Sequence, residues 1–143
     1  MADKPYLSVI IPAYNEEPNF KKGTIDDVPK YLDQKDYTYE ILIVDDGSED
    51  NTAKLADNFA KKHKNVRAIK NPHQGKAETV KTGVENAKGE LILFTDFDQA
   101  TPLSEIEKLL PFIPEHDIVI GSRQLPGAKR EKEPIHRHLM GLV

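Results

Sequence analysis

Apolar residues fall along this chain in short unbroken runs separated by stretches in which they recur every three or four positions. That pattern predicts strands buried on both faces and joined by helices. The strand-like runs are Leu7, Val9, Ile10 and Ile11; residues 39–44 (YEILIV); the weaker Val66, Ala68 and Ile69; residues 91–94 (LILF); and residues 117–120. Helical spacing predicts a helix using Ile25, Val28, Tyr31 and Leu32, opened by a Thr24/Asp27 capping box and carrying Pro29 in its second turn. A second is expected over 50–62 with Leu55, Ala56, Phe59 and Ala60 inward, and a third after Lys76 with Ala77, Val80, Val84 and Ala87, weakened by Gly83. A fourth, capped by Thr101 and begun by Pro102, would use Leu103, Ile106, Leu109 and Leu110 and stop at Pro111 and Pro114. Residues 13–18 read as a polar loop. Five strands alternating with helices predict an α/β chain with a mostly parallel central sheet and right-handed crossovers, in one domain over 1–143.

The strand ends carry the polar chemistry. LILF stops at Asp96-Phe97-Asp98, and YEILIV stops at Asp45-Asp46-Gly47-Ser48. In open α/β sheets the crevice beyond the carboxyl ends of the strands is where ligands sit. Two carboxylates one residue apart on a bend can aim at one point, which suits a hard divalent ion that keeps waters and shares substrate phosphates. The plainer alternative is that these aspartates only make turns and caps. Adjacent acids leaving a buried strand repel unless donors such as a base N–H or ribose hydroxyls use them. Tyr14 and Glu16 follow the first strand, where a ring can stack on a base and a carboxylate can take a hydroxyl; the alternative is a surface loop. Lys76, after Gly75 at a helix start, suits a diphosphate, although neither a P-loop nor a G-x-G-x-x-G pattern is present. The five histidines have no metal-cluster spacing with acids, and each reads as a solvated side chain, with His73 a weak exception.

Composition narrows the classes. A net charge of −4 with interspersed signs disfavours nucleic acid as a partner. The absence of cysteine removes disulfides, zinc thiolates and thiol nucleophiles. Apolar runs are too short to span a membrane, and residues 1–5 lack a signal-peptide core, so a cytoplasmic location is expected.

Taken together, SVIIPAYNEE at 8–17, YEILIVDDGSEDNT at 39–52, GKAETVKTGVENAKGELILFTDFDQATP at 75–102 and IVIGSR at 118–123 resemble the inverting family 2 glycosyltransferases. The likeness is strongest to the branch of dolichyl-phosphate β-glucosyltransferases and polyprenyl-phosphate sugar synthases. The resemblance implies a three-layer α/β/α GT-A fold that binds a nucleotide-sugar. It implies that Pro12, Tyr14, Glu16, Asp45 and Asp46 hold the nucleoside, that Lys76 and Asp96 contact the donor, and that Asp96 and Asp98 hold Mg2+ or Mn2+. Asp98 and Arg123 would be the catalytic residues, and Arg123 and Arg137 would receive the acceptor phosphate. Ala100 stands where mannose synthases of this group have glutamine, which favours the glucosyltransferase-like branch. Relatives continue past position 143, so the chain is expected to be truncated in its acceptor-binding part.

The activity implied is metal-dependent transfer of glucose from UDP-glucose to a polyprenyl or dolichyl phosphate, at the cytoplasmic face of a membrane that the chain touches through its acceptor. The alternatives are a family 2 enzyme with a glycan hydroxyl acceptor, a non-catalytic nucleotide-sugar binding module and, more remotely, a phosphoacceptor signalling domain in which the Tyr14/Glu16 loop has no role.

Overall fold

Four parallel strands in the order β3-β2-β1-β4 form the sheet of this chain, whose computed structural model describes residues 4–122 and 124–128. By compactness the chain divides into two units, Met1–Ser104 and Glu105–Val143, and the whole sheet belongs to the first. Its elements are β1 (Leu7–Ala13), α1 (Glu17–Lys21), α2 (Asp27–Leu32), β2 (Tyr39–Asp45), α3 (Thr52–Lys62), β3 (Val66–Lys70), α4 (Lys76–Asn86) and β4 (Leu91–Phe94). From β1 the chain steps to β2 and then to β3, and then returns past β1 to lay β4 on its other side. The strand order therefore reverses between β1 and β4, and the crevice beyond their carboxyl ends is a topological switch point. The chain crosses the sheet in opposite directions after β2 and after β3, so the right-handed crossovers that parallel strands favour would put α3 and α4 on opposite faces.

β1 and β2 are buried on both faces, which is why their sequences lack alternation: Val9, Ile10, Ile11, Leu42, Ile43 and Val44 are wholly inaccessible. Pro12 fits within β1 because Ile10, facing the same side two residues earlier, makes the last β1–β4 pair, so no ladder bond is lost. β4 differs from expectation. It is an edge strand among the described residues, and Ile92 and Phe94 remain 45% and 57% exposed.

α4 packs on β1 through Gly83. A Cβ there would lie 2.4 Å from Ile10 Cγ2 and 3.1 Å from its Cδ1. In an open helix alanine is favoured over glycine by about 1 kcal/mol, but overpacking a filled core costs about 1–3 kcal/mol. Gly83→Ala is therefore expected to lower the melting temperature. A variant that melts at or above the wild type would show that Ile10 yields freely.

The amino ends of the strands are tied by a buried network. Glu40 accepts from the Ser8 hydroxyl at 2.7 Å and Lys88 N at 2.6 Å through Oε1, and from Arg67 Nη2 at 2.9 Å through Oε2. Ser8 Oγ in turn accepts from Gly89 N at 2.8 Å, and Arg67 Nη2 reaches Asn86 O at 2.7 Å. One carboxylate thus fastens the end of α4 and the entry to β4 onto three strands.

Several expectations are corrected. The polar stretch after β1 contains α1, with Pro18 inside its first turn, where no intrahelical N–H is required. α2 begins at Asp27 rather than at Thr24, which puts Pro29 in its first turn, where no intrahelical N–H is required of it. No helix opens at Pro102. Asp98 Oδ1 accepts from Ala100 N at 3.0 Å and Gln99 takes φ 50°, so the chain is still turning there. A 3-10 turn (Leu103–Glu105), α5 (Ile106–Leu109) and a second 3-10 stretch (Leu110–Glu115) follow. Pro111 and Pro114 lack the donors that would prolong the α pattern. Residues 117–120 are not a strand: they have no ladder partner among the described residues, and Ile118 and Ile120 are exposed. Propensity alone does not make a strand without an edge to pair with. Among the described residues no helix is long and apolar enough to cross a membrane.

Candidate functional site

The loops after β1 and β2 are stitched together at the carboxyl edge of the sheet. Asn15, in the left-handed region at φ 53°, donates its N–H to Ser48 Oγ at 2.9 Å, and its Oδ1 accepts from Glu49 N at 2.9 Å. Glu16 N reaches Thr52 Oγ1 at 2.7 Å, and Glu17 N reaches Asp50 Oδ2 at 3.2 Å. Asp50 also caps α3 by accepting from Thr52 N at 2.9 Å. Glu17 accepts from Asn51 N and from Lys21; the Lys21 contact and the Asn51 bonds bring its carboxyl down to about 2. The Glu16 carboxylate accepts from Asn19 Nδ2 at 2.6 Å. The two loops thus hold one another in place.

Asp45 and Asp46 are both nearly inaccessible, at 3% each, yet their carboxylates do different things. Asp45 Oδ2 accepts from Ser48 N at 3.2 Å, whereas its Oδ1 is buried with no donor among the described residues. A buried carboxylate oxygen without a donor is costly unless another group completes it. Asp46 is fully engaged: Oδ1 accepts from Gln74 N at 3.0 Å, and Oδ2 from Gly75 N at 2.9 Å and from His73 Nδ1 at 2.8 Å. Burial pushes the Asp46 carboxyl up, but the Gln74 N–H, the Thr79 hydroxyl, the Gly75 N–H and His73 outweigh it and hold it below its ordinary value. Asp46 therefore anchors the loop leading into α4. Gly47 allows the approach: at φ 68°, a Cβ on it would meet His73 N at 2.7 Å.

Lys76, the first residue of α4, forms an ion pair with Asp96 beyond β4. A lysine at a helix amino end opposes the helix dipole, so the favourable partner is an anion in front of it, here Asp96. Asp98 Oδ1 is engaged with Ala100 N, and Gln99 closes the turn by donating Nε2 to Asp96 O at 2.7 Å. Phe97 between them is buried against Phe20, with ring centroids 4.7 Å apart, and fixes the bend. No cluster of three or more His, Cys, Asp or Glu residues suited to a metal occurs among the described residues. Two exposed carboxylates fit a divalent ion only if diphosphate oxygens and water complete its shell, as is usual for Mg2+.

The expected site residues thus fall into two groups. Pro12, Tyr14, Glu16, Asp45 and Asp46 line the ends of β1 and β2, and Lys76, Asp96 and Asp98 bring together α4 and the end of β4. Arg123 and Arg137 lie outside the described residues. The structure adds His73, whose ring stacks on Tyr14 with centroids 4.3 Å apart and planes at 20°. It also adds Asn15, Ser48 and Thr79. Asn15 carried a sequence signal, since asparagine tolerates positive φ; nothing marked Thr79.

A model of glycosyl transferase family 2 matches residues 8–141 of this chain. A dolichyl-phosphate beta-glucosyltransferase of Trichomonas vaginalis is 37% identical over 150 residues, covering 96% of this chain and 44% of the relative. One from Dictyostelium discoideum is 39% identical over 134 residues, covering 85% and 41%. Among solved structures, a mannosyltransferase from Pyrobaculum calidifontis in complex with GDP-Man and Mn2+ is 28% identical with a TM-score of 0.56, over 68% of this chain and 28% of that one. The chain spans less than half the length of these relatives. The fold is that of the GT-A glycosyltransferases, in accord with the expectation from sequence.

Proposed function

This chain belongs to glycosyl transferase family 2, and from that premise we propose that it is the donor-binding part of an inverting enzyme that moves glucose from UDP-glucose to dolichyl or another polyprenyl phosphate. The observation that carries the reading is the Lys76–Asp96 pair, which unites an anion-seeking lysine with the first aspartate of the D-x-D turn. The names of the relatives support the sugar and the acceptor, and the Mn2+ of the Pyrobaculum mannosyltransferase complex supports the cation.

In this reading the open face of Tyr14 stacks on the base, and Asp45 Oδ1 accepts from the base or ribose. Glu16 offers a further acceptor, while Pro12 stiffens the strand end beneath them. Asp46 contributes by holding the 73–75 loop, and so Lys76, in place. Asp96 and Asp98 hold Mg2+ or Mn2+, which when bound supplies Lewis-acid stabilisation of charge developing on the departing diphosphate. Lys76 exchanges its pair with Asp96 for a diphosphate oxygen. A phosphate acceptor, with a second pKa of about 6, is already largely ionised and needs orientation rather than a general base. Arg123 and Arg137 supply that orientation because a guanidinium forks onto phosphate oxygens. The acceptor brings the protein to a membrane surface, on the cytoplasmic face where nucleotide-sugars are available.

The test is transfer of labelled glucose from UDP-glucose to dolichyl phosphate with Mn2+, with GDP-mannose and a glycan hydroxyl acceptor as comparison arms. Label in the lipid only from UDP-glucose supports the reading, and transfer only to the glycan contradicts it. Lys76→Met is expected to weaken UDP binding about tenfold, the scale of one charge-assisted hydrogen bond. It is not expected to weaken Mn2+ binding by the nucleotide-free chain, because the ammonium no longer competes for Asp96. Calorimetry reads both.

A further inference from the structure

Resting on the nucleotide-sugar reading of this site, we infer that His73 is a positioning residue for the nucleoside end of the donor, acting through Tyr14. His73 Nδ1 faces two acceptors, the Asp46 carboxylate at 2.8 Å and the Asp46 carbonyl oxygen at 3.1 Å. Nδ1 therefore carries a proton whether the ring is neutral or cationic. The imidazole is held by a carboxylate that is itself immobilised by the Gln74 and Gly75 N–H groups. Its backbone is fixed as well, since the 71–75 loop runs so close to Gly47 that a Cβ there would lie 2.7 Å from His73 N.

Tyr14 stands in contrast. Its ring is 41% exposed at the tip of β1, and its stacking on the imidazole, at 4.3 Å and 20°, is the contact that gives it an orientation. One face of the phenol lies on a fixed imidazole, which leaves the other face for a base. The order of support runs from Asp46 to His73 to Tyr14 to the nucleoside, and the stacking surface is set before the ligand arrives. Preorganisation of this kind raises affinity by removing the ordering cost from the binding step. It also distinguishes the adjacent acids: Asp45 Oδ1 is buried with no donor among the described residues, whereas Asp46 directs the ring beside it.

The test is calorimetry of the whole chain with UDP plus Mn2+ and, separately, with pyrophosphate plus Mn2+, for the wild type, His73→Ala, Tyr14→Ala and the double variant. His73→Ala is expected to weaken UDP binding about fivefold and to leave pyrophosphate binding within about twofold. In the Tyr14→Ala background the same change is expected to shift UDP affinity by less than about twofold, because the two residues act as a unit. His73→Phe, which keeps a ring but not the Nδ1 donor, is expected to recover part of the UDP affinity. If His73→Ala does not fold, His73→Asn, which keeps a donor for Asp46 without the ring, carries the same expectation. Equal loss for UDP and pyrophosphate, or equal loss with and without Tyr14, overturns the inference. So does unchanged UDP binding by His73→Ala. A wild-type chain that binds pyrophosphate but neither UDP nor GDP overturns instead the reading beneath it.

Discussion

Asp98→Asn is expected to lower metal-dependent sugar transfer about a thousandfold and to remove the dependence of the remaining rate on Mn2+. The substitution changes charge with little change of shape. The amide oxygen can still accept from Ala100 N, as Asp98 Oδ1 does at 3.0 Å, so the turn that carries the residue is retained. What disappears is one of only two carboxylates that the turn offers to a divalent ion. Stabilisation of charge on a leaving diphosphate by a metal is worth several kcal/mol, which sets the thousandfold scale. Two readings check it: the rate of glucose transfer to dolichyl phosphate, and Mn2+ affinity in the presence of UDP measured by electron paramagnetic resonance. A variant that is folded, active and still Mn2+-dependent would remove Asp98 from the metal site.

The second large effect is on stability and lies at the other end of the sheet. Glu40→Ala is expected to destabilise the fold by about 3 kcal/mol, because it leaves the Ser8 hydroxyl and Lys88 N–H without their acceptor and the Arg67 guanidinium without its anionic partner, holding only Asn86 O. The value falls at the low end for a broken buried pair because the Arg67 side chain is 37% exposed and can turn to water. Urea denaturation reads it as a lower midpoint with an unchanged slope, and a loss below about 1 kcal/mol would mean that solvent replaces the network. The same carboxylate predicts a direction with pH. Burial raises the Glu40 carboxyl, but Ser8, Lys88 N–H and Arg67 outweigh burial, and the net position is below its ordinary value. Asp46 is likewise held low. The stabilisation that each gives is complete above its unfolded value, near pH 4, and is lost as pH falls through the lower folded values. Wild-type stability is therefore expected to drop as pH falls below about 4, and Glu40→Ala should show a shallower drop.

How much of this was legible in the sequence depended on how local the cause was. β1, β2 and β4 could be read because unbroken apolar runs bounded by polar turns have few other uses. β4's outer face was misjudged because burial depends on a neighbour, and sequence periodicity does not report one. α1 was invisible for a related reason: its five residues hold their place through Glu16 N to Thr52 and Glu17 N to Asp50, partners 36 and 33 positions away. The fifth strand failed because an apolar run specifies a strand only when an edge receives it. At the site, the D-x-D and D-D-G-S turns could be recognised as acidic strand ends. The division of labour between Asp45 and Asp46 could not, since the donors that engage Asp46 lie 28 and 29 residues downstream. His73 was obscured in the same way, because a histidine in a loop is usually solvated and its significance lies in two contacts made across loops.

In the proposed reaction the D-x-D turn and the Lys76 loop converge on one cation and one diphosphate. The most direct measurement is therefore Mn2+ affinity of the chain with and without saturating UDP. If both ligands share the site, each must tighten the other by the same factor; the expected result is at least about tenfold tighter Mn2+ binding with UDP present, abolished by Asp96→Asn and by Asp98→Asn. Mn2+ binding that ignores UDP, or that persists undiminished in both variants, would contradict it.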